Sequence, residues 1–277
     1  MKFIFTNIFA LLFCTQILGQ VSDVKMQEIL DNYKKEFDKG TTIIGCGHYM
    51  DSFTYFAKQT ENAGLDAALS LSGKTLGDIG YQIYQKRLSK GELITSHSLL
   101  PTLQNMLDKL ARELNNPDLK FTMSVLKTNQ PNAFATIGGY VYVTEGLLDF
   151  VDTYDELAFI IGHEIAHIHY GHSRRKITKM AITADLLNMT GLEGFTNIAL
   201  NTNGVLSAPF DQIDEYESDK LGFEIALKAG YDRHRFADFF RKLAKNENKT
   251  LLNKLSSTHP FASDRENCIN DYIKNQG

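Results

Sequence analysis

Apolar residues recur at intervals of three and four through much of the first 114 positions, as they do along one face of a helix. This spacing predicts a helix over residues 24–37, two further helices between residues 62 and 90, and a fourth that begins at Pro101. Asn115-Asn116-Pro117 is expected to stop the fourth helix. Residues 41–51, with glycines on both sides of Cys46, are expected to be irregular or briefly extended.

The hydrophobic period then changes to one that is typical of strands. Residues 121–126 and 140–144 are short runs rich in β-branched and aromatic residues, and Gly138-Gly139 precedes the second run. From Thr153 onward the helical spacing returns and continues to the end of the sequence. The pattern predicts an α+β protein that is mostly helical and contains a small sheet.

Composition narrows the classes of function. The 277 residues are 43% hydrophobic and 22% charged, which is sufficient for one substantial core and is unlike a disordered chain. The formal net charge is −4 and there is no long basic run. Since a nucleic-acid-binding face needs clustered positive charge, we expect no nucleic-acid partner.

The first twenty residues differ from the rest of the chain. Lys2 precedes a mostly apolar stretch over residues 3–18, and Gly19 offers a small residue near a cleavage point at Gly19–Val21. We expect a secretory signal peptide at residues 1–20, with an uncleaved N-terminal anchor as the alternative. No later stretch is a long uncharged apolar run, so no transmembrane segment is expected in the mature chain.

Removal of that segment leaves two cysteines, Cys46 and Cys268. In an oxidising compartment they form either one disulfide or two unpaired buried thiols, and the sequence does not choose between these states.

Candidate chemistry lies in a His-Glu-x-x-His motif on a predicted helix over residues 156–170. Thr153 is placed as its N-cap, with Glu156 completing a capping box. His163 and His167 are one turn apart on the same face, so both imidazoles can bind one zinc ion. Glu164 is positioned to take a proton from an attacking water without itself binding the metal. This is the arrangement of a zincin metalloprotease.

A third protein ligand is expected downstream, on a helix that begins near Glu215 and ends at Gly230. Glu215 and Asp219 are again one turn apart, so Glu215 can bind the metal while Asp219 accepts a hydrogen bond from a ligand histidine. Glu217 is the competing ligand, but it does not share a helix face with Asp219. Glutamate as the third ligand makes the site one of gluzincin type.

Other interpretations of the motif are weaker. A His-Glu-x-x-His sequence arises by chance in about one chain in a hundred of this composition. The extended metzincin motif requires glycine and histidine at positions that Tyr170 and Ser173 occupy here. His169 and His172 are expected to lie behind the ligands or on the surface.

The chain resembles the HtpX and CAAX prenyl protease family of metallopeptidases, in its soluble, periplasmic BepA-like branch. The resemblance covers roughly residues 76–270 and lies in four segments: residues 132–143, residues 163–173, residues 215–232, and Thr258-His259-Pro260 with Arg265. It departs from the family at Asp211-Gln212, where Ser-Arg is common.

The resemblance implies a zinc metalloendopeptidase of protein quality control, with one Zn²⁺ per chain and misfolded or envelope proteins as substrates and partners. It implies a sheet whose edge strand flanks the active-site helix and binds substrate by β-augmentation through Asn132, Ala133, Phe134 and Ala135. It places His259 over the metal, where it either polarises the transition state or caps the zinc in a latent form. Residues 173–213 are expected to pack over the cleft.

The resulting expectation is a signal peptide at 1–20, a helical segment of unknown role at 21–75 and a peptidase domain at 76–277. The alternative function is a latent or inactive family member that binds unfolded or envelope proteins through the edge strand. An accidental motif in a helical scaffold is disfavoured by the third-ligand match.

Overall fold

The computed structural model describes residues 41–45, 48–68, 70–183, 192–200, 210–245, 259 and 262–275. The expected signal peptide, the expected helix at 24–37, Cys14 and Cys46 lie outside these residues. Cys268 is buried and disulfide-bonded. The two other cysteines of the chain, one of which must be its partner within the chain, both lie outside the described part. Within the described ranges, no helix has both the length and the apolar character that crossing a membrane requires.

The described residues form ten α-helices and five strands, which confirms the expected α+β class with a helical majority. In chain order these are β1 (Thr41–Gly45), β2 (His48–Asp51), α1 (Ser52–Ala68), α2 (Gly73–Ser89), α3 (Leu100–Arg112), β3 (Thr122–Leu126), β4 (Ala133–Thr136), β5 (Tyr140–Thr144), α4 (Glu145–Phe150), α5 (Tyr154–His169), α6 (His172–Thr183), α7 (Leu192–Leu200), α8 (Gln212–Lys228), α9 (Phe236–Lys245) and α10 (Ala262–Asn275).

Three strands form a small mixed sheet with β5 at its centre. β3 pairs with β5 in parallel and β4 pairs with β5 antiparallel, so the strand order is β3-β5-β4. One side of β4 is consequently an open edge, and α5 packs beside it. The expected edge strand next to the motif helix is thereby confirmed.

At the N-terminal end the structure confirms one expectation and corrects another. Within residues 41–51, β1 and β2 pair antiparallel, which confirms the extended alternative. The next helix begins at Ser52, ten residues before the predicted start.

The start of α5 confirms Thr153 as N-cap but not the full capping box. The Thr153 hydroxyl accepts a hydrogen bond from the Glu156 amide at 3.2 Å. Glu156 does not return a bond to Thr153; its Oε2 accepts from the Asp152 amide at 2.9 Å and from Lys242 Nζ at 2.8 Å. The buried carboxylate therefore ties α5 to α9 instead of closing the cap on itself.

The main core surrounds α5, which is buried from Glu156 to His167. The apolar faces of α3, the sheet, α8 and α9 all contribute to it. Phe159 of α5 stacks on Phe236 with ring centroids 5.5 Å apart, and Phe236 makes an edge contact at 5.4 Å with Phe223 of α8. This packing leaves α5 fixed between the sheet on one side and α8 on the other.

The contact between α5 and α8 is unusually close because glycine stands on both helices. A Cβ at Gly222 would lie 2.7 Å from the His163 backbone nitrogen and 3.0 Å from the His163 Cα. A Cβ at Gly162 would lie 3.0 Å from the Gly222 carbonyl oxygen. Real Cβ atoms do not approach backbone so closely, so the helix separation requires glycine at 222.

Ion pairs attach α1 to the helices that follow α5. Arg175 of α6 binds Asp66 through two hydrogen bonds, Nε to Oδ1 and Nη2 to Oδ2, both 2.9 Å long, and Arg174 also contacts Asp66. Lys58 lies 3.4 Å from Asp214 and also contacts Asp211, the N-cap of α8. Electrostatic contacts of α1 therefore reach both α6 and α8.

We predict that Gly222→Ala lowers the free energy of unfolding by about 1–3 kcal/mol, because the added methyl group must push α8 away from α5. Gly77→Ala is the control, since a Cβ at Gly77 in α2 would meet nothing within 4 Å. That substitution should leave stability unchanged or raise it by up to about 1 kcal/mol. Urea denaturation measures both, and a Gly222→Ala variant as stable as wild type contradicts the close contact.

The Asp66 ion pairs predict a pH-dependent contribution to stability. Burial raises the pKa of Asp66, but Arg175 and Arg174 outweigh it, so the pKa lies below its usual value. The pairs therefore stabilise the fold above about pH 4, and this contribution is lost as the pH falls through the lowered folded-state pKa.

Asp66→Asn should lower the free energy of unfolding by up to about 1 kcal/mol at pH 7 and by progressively less toward pH 3. Asp149→Asn, on the exposed face of α4, is the control and should change little at either pH. A loss at Asp66 that is the same at pH 3 and pH 7 contradicts the ion-pair assignment.

Candidate metal centre

Two imidazoles on α5 meet at the centre of the site. His163 and His167 are both buried, and their Nε2 atoms are 2.9 Å apart. The helical spacing of four places both rings on one side of α5, as the sequence predicts. At this distance the two Nε2 atoms can face the same small space beside α5.

Glu215 of α8 approaches both nitrogens from the opposite side. Its Oε1 is 3.4 Å from His167 Nε2 and its Oε2 is 3.7 Å from His163 Nε2. Ligand atoms arranged tetrahedrally at zinc distances of 2.0–2.1 Å are separated by roughly 3.3 Å. The three predicted ligands thus lie at spacings close to those of a zinc site.

His259 supplies a fourth donor atom at the same point. Its Nδ1 lies 3.3 Å from His163 Nε2 and 3.1 Å from Glu215 Oε1. One donor atom from each of His163, His167, Glu215 and His259 lies within 4.8 Å of the others, and all four residues are buried. The structure therefore brings together the three predicted ligands and the predicted overlying histidine.

The donor set fits a divalent cation. We assign the His163 proton to Nδ1, which is 2.8 Å from the Asp219 carboxylate, so that His163 Nε2 carries a lone pair. Glu215 Oε2 is buried and has no hydrogen-bond partner among the described residues, although Arg265 Nη1 lies 2.6 Å away with unsuitable hydrogen-bond geometry. With this tautomer the His163 Nε2 lone pair points toward the other donors, and a cation among them would satisfy that lone pair and the Glu215 carboxylate together.

Arg265 of α10 controls the charge of the acidic residues on α8. It binds both carboxylate oxygens of Asp219 at 2.7 Å. Burial raises the pKa of Glu215, but Arg265 and His259 outweigh this effect, so the Glu215 pKa lies well below its usual value. Burial likewise raises the pKa of Asp219, and Arg265 lowers it by more. Both carboxylates are therefore ionised at neutral pH, as ligation and hydrogen bonding to histidine require.

Glu164 lies beside the donor set and is anchored to the edge strand. Its Oε2 accepts a hydrogen bond of 3.0 Å from the backbone N–H of Ala135, and its Oε1 is 3.5 Å from His259 Nε2. Burial raises the pKa of Glu164 above its ordinary value, although His259 and His163 act against the rise. Burial lowers the pKa of His259, but Glu215 and Glu164 raise it by more.

The four residues expected to bind substrate differ in their placement. Asn132, Phe134 and Ala135 line a cavity that also contains Glu164 and His259. Ala133 instead packs into the core. The buried side-chain oxygen Oδ1 of Asn132 has no hydrogen-bond partner in the part of the chain that is described, which leaves it available to a ligand in the cavity.

His172, expected behind the ligands or on the surface, is buried behind His167, and the Nδ1 atoms of the two rings are 3.1 Å apart. Two other residues of the site were not identified from the sequence. Phe210 stacks on the His167 ring at a centroid distance of 3.8 Å. Lys176 borders the same cavity. Glu217, the competing ligand, contacts His172 at 3.2 Å and does not belong to the four-donor group.

Part of this could have been read from the sequence. His172 closely follows the histidines of the motif helix, which indicates that it lies near the site but not which residue it contacts. Phe210 gave no such signal, because a lone phenylalanine carries no periodicity that points to a site. Arg265 was marked by the family resemblance alone, which did not indicate its contacts with Glu215 and Asp219.

Comparison with known proteins identifies the family of the chain. The model of Peptidase family M48 matches residues 99–273. The beta-barrel assembly-enhancing protease of Yersinia pestis is 27% identical over 218 residues, which cover 72% of this chain and 43% of that protein. Metalloprotease LoiP of Escherichia coli K12 is 25% identical over 245 residues, which cover 86% of this chain and 94% of that protein.

A mitochondrial relative shows similar coverage. The mitochondrial metalloendopeptidase OMA1 of Schizosaccharomyces pombe is 25% identical over 242 residues, covering 84% of this chain and 71% of that protein. The chain spans less than half the length of the Yersinia pestis protein and of a putative beta-barrel assembly-enhancing protease from Vibrio cholerae, at 43% and 38%.

We predict that Asp219→Asn lowers zinc affinity by roughly 10–100-fold, because the amide no longer holds the His163 tautomer as a carboxylate does. Asp271→Asn, on the exposed side of α10, should leave the affinity unchanged. Competition with a chromophoric chelator measures both affinities. Equal zinc affinity in Asp219→Asn and wild type contradicts the assigned role of Asp219.

Proposed function

The chain belongs to Peptidase family M48, and from this membership we propose that it is a zinc-dependent endopeptidase of gluzincin type. The convergence of His163, His167 and Glu215 on one point, with the Glu164 carboxylate beside it, supports this proposal most directly. We propose one Zn²⁺ per chain, held by those three residues, with Asp219 fixing the His163 ring.

The proposed chemistry assigns a separate task to each residue. Bound zinc supplies Lewis acidity, which lowers the pKa of a water molecule and polarises a peptide carbonyl. Glu164 takes the proton of the attacking water and delivers it to the nitrogen of the leaving amine. Because burial raises its pKa, Glu164 is a stronger base than an exposed carboxylate. The Ala135 N–H holds the Glu164 side chain in place.

Substrate recognition is proposed to use the open edge of β4. An extended peptide added to this edge would hydrogen-bond to the backbone, which gives affinity with little dependence on sequence. Asn132, Phe134 and Ala135 border the cavity next to that edge, and Ala133 would contribute through its backbone. Such recognition suits unfolded chains, which is consistent with misfolded proteins as substrates.

The cellular role is proposed from the relatives and the N-terminal sequence together. Relatives from Yersinia pestis and Escherichia coli are called beta-barrel assembly-enhancing proteases, which favours quality control of envelope proteins. Lys2 and the apolar stretch after it favour a signal peptide cleaved near Gly19–Val21 and a periplasmic location. We retain residues 76–277 as the proposed peptidase domain and residues 21–75 as an N-terminal segment of unknown role.

His259 favours a second candidate function, a latent form of the same enzyme that acts as a protein-binding module. A catalytic zinc site keeps its fourth position open for water. His259 Nδ1 lies 3.3 Å from His163 Nε2 and 3.1 Å from Glu215 Oε1, so it would compete with water for that position. Of the two roles considered for His259, we propose that it caps the metal and must move aside before hydrolysis.

The endopeptidase proposal is tested with casein as an unfolded substrate. Glu164→Gln should reduce the cleavage rate by about 10²–10⁴-fold while zinc content stays equal to that of wild type. Glu224→Gln, on the same helix as Glu215 but outside the four-donor group, is the control and should retain activity. Equal cleavage rates for Glu164→Gln and wild type would contradict the assignment of Glu164 as the general base.

The capping proposal predicts faster cleavage when the His259 side chain is removed, whereas removal of the base predicts slower cleavage. His259→Ala should retain zinc through the three remaining ligands and should cleave casein at least about tenfold faster than wild type, since one ligand fewer competes with water. A loss of activity with zinc retained would instead assign His259 to transition-state stabilisation. Metal analysis and cleavage rates on the same preparation separate the two results.

A further inference from the structure

A cavity adjoins the four-donor group, and His259 is one of its lining residues. One wall is β4, and Glu164 and His259 stand at the end nearest the donor set. Its remaining surface is largely apolar and is formed by Ile83, Ile137, Ile177, Ala199 and Phe210. The cavity lies beside Glu164, where a substrate group next to the scissile bond would be placed.

Lys176 of α6 places a cation beside the apolar part of this cavity. Its Nζ lies 3.6 Å from the centroid of the Phe210 ring, a close cation–π contact. Burial lowers the pKa of Lys176 to about 8, while Glu164, Glu215 and Asp214 act in the opposite direction. The side chain therefore remains mostly protonated at neutral pH, held against Phe210.

Ser173 lies three residues before Lys176, on the same side of α6, and also lines the cavity. Its hydroxyl oxygen is buried and has no hydrogen-bond partner among the residues that the structure describes. Buried polar groups are normally paired, so an unpaired hydroxyl that borders a cavity indicates a ligand group that would complete its hydrogen bond.

The donors that line the cavity favour an anion as that group. Lys176 contributes an ammonium group and Ser173 a hydroxyl group, and both can donate hydrogen bonds. A carboxylate has two oxygens that accept hydrogen bonds, and it accepts most strongly from a charged donor.

We propose that this cavity is a subsite for a substrate carboxylate adjacent to the scissile bond, bound by the ammonium group of Lys176 and the hydroxyl group of Ser173. This inference rests on the proposed endopeptidase function and adds a substrate class to it. The carboxylate belongs either to a glutamate or aspartate side chain or to the end of a peptide chain.

Peptide binding tests the subsite without requiring turnover. Zinc-loaded Glu164→Gln protein is titrated with fluorescent peptides that are identical except for Glu, Gln or Lys at each position flanking the bond that wild type cleaves in casein. A parallel set carries free or amidated C-termini. We expect the Glu peptide, or the free C-terminus, to bind about tenfold more tightly than its neutral counterpart.

Substitutions at Lys176 determine whether this preference comes from the cavity. Lys176→Met should bring the ratio for acidic over neutral peptides close to one, and Lys176→Glu should reverse it in favour of Lys. Ser173→Ala should reduce the ratio by a smaller factor. Lys179→Met is the matched control, because Lys179 lies on the same helix but is 54% exposed and pairs with Glu61. Its preference should equal that of the parent protein.

Two results overturn the subsite: equal affinity for charged and neutral peptides, or a preference that persists in Lys176→Met. Failure of the endopeptidase proposal has a different signature. In that case zinc-loaded wild type and His259→Ala cleave no peptide, and a library of short casein-derived peptides replaces the mapped set in the same binding titration.

Discussion

The close contact between α5 and α8 is the constraint on which the site depends. The two histidines that we propose as metal ligands lie on one helix, and the carboxylates of Glu215 and Asp219 lie on the other, so the distance between the helices sets the distance between donors. Gly222 allows that distance, since any side chain there would meet the backbone of His163. A small glycine thus determines whether donors from two helices can bind the same ion.

Charge balance is the second requirement, and it follows from the first. Bringing the helices together buries Glu164, Glu215 and Asp219 in one region, and buried carboxylates are costly unless they are paired. Arg265 compensates Asp219 and part of Glu215, which leaves negative charge beside two imidazole lone pairs. A divalent cation is the natural complement of that arrangement, and Lys176 extends positive charge into the cavity where a substrate would lie.

Helical spacing made the arrangement of the proposed metal ligands predictable from the sequence. The helical spacing of His163, Glu164 and His167 defined one face, and the same spacing paired Glu215 with Asp219, because a period of 3.6 residues holds in any tertiary context. Contacts made by Arg265, Phe210 and Lys176 depend on how distant helices pack, and no local pattern encodes them. The capping box failed for a related reason: Lys242, 86 residues away, attracts the Glu156 carboxylate.

Metal analysis of the mature chain, purified without added metal, tests the central claim most directly when it is made beside Glu215→Ala. We expect about one zinc per folded chain, with X-ray absorption showing only nitrogen and oxygen ligands, and we expect the metal to be lost in Glu215→Ala. A folded wild-type protein that contains no zinc and cannot be reloaded would contradict the account, as would full zinc retention without Glu215.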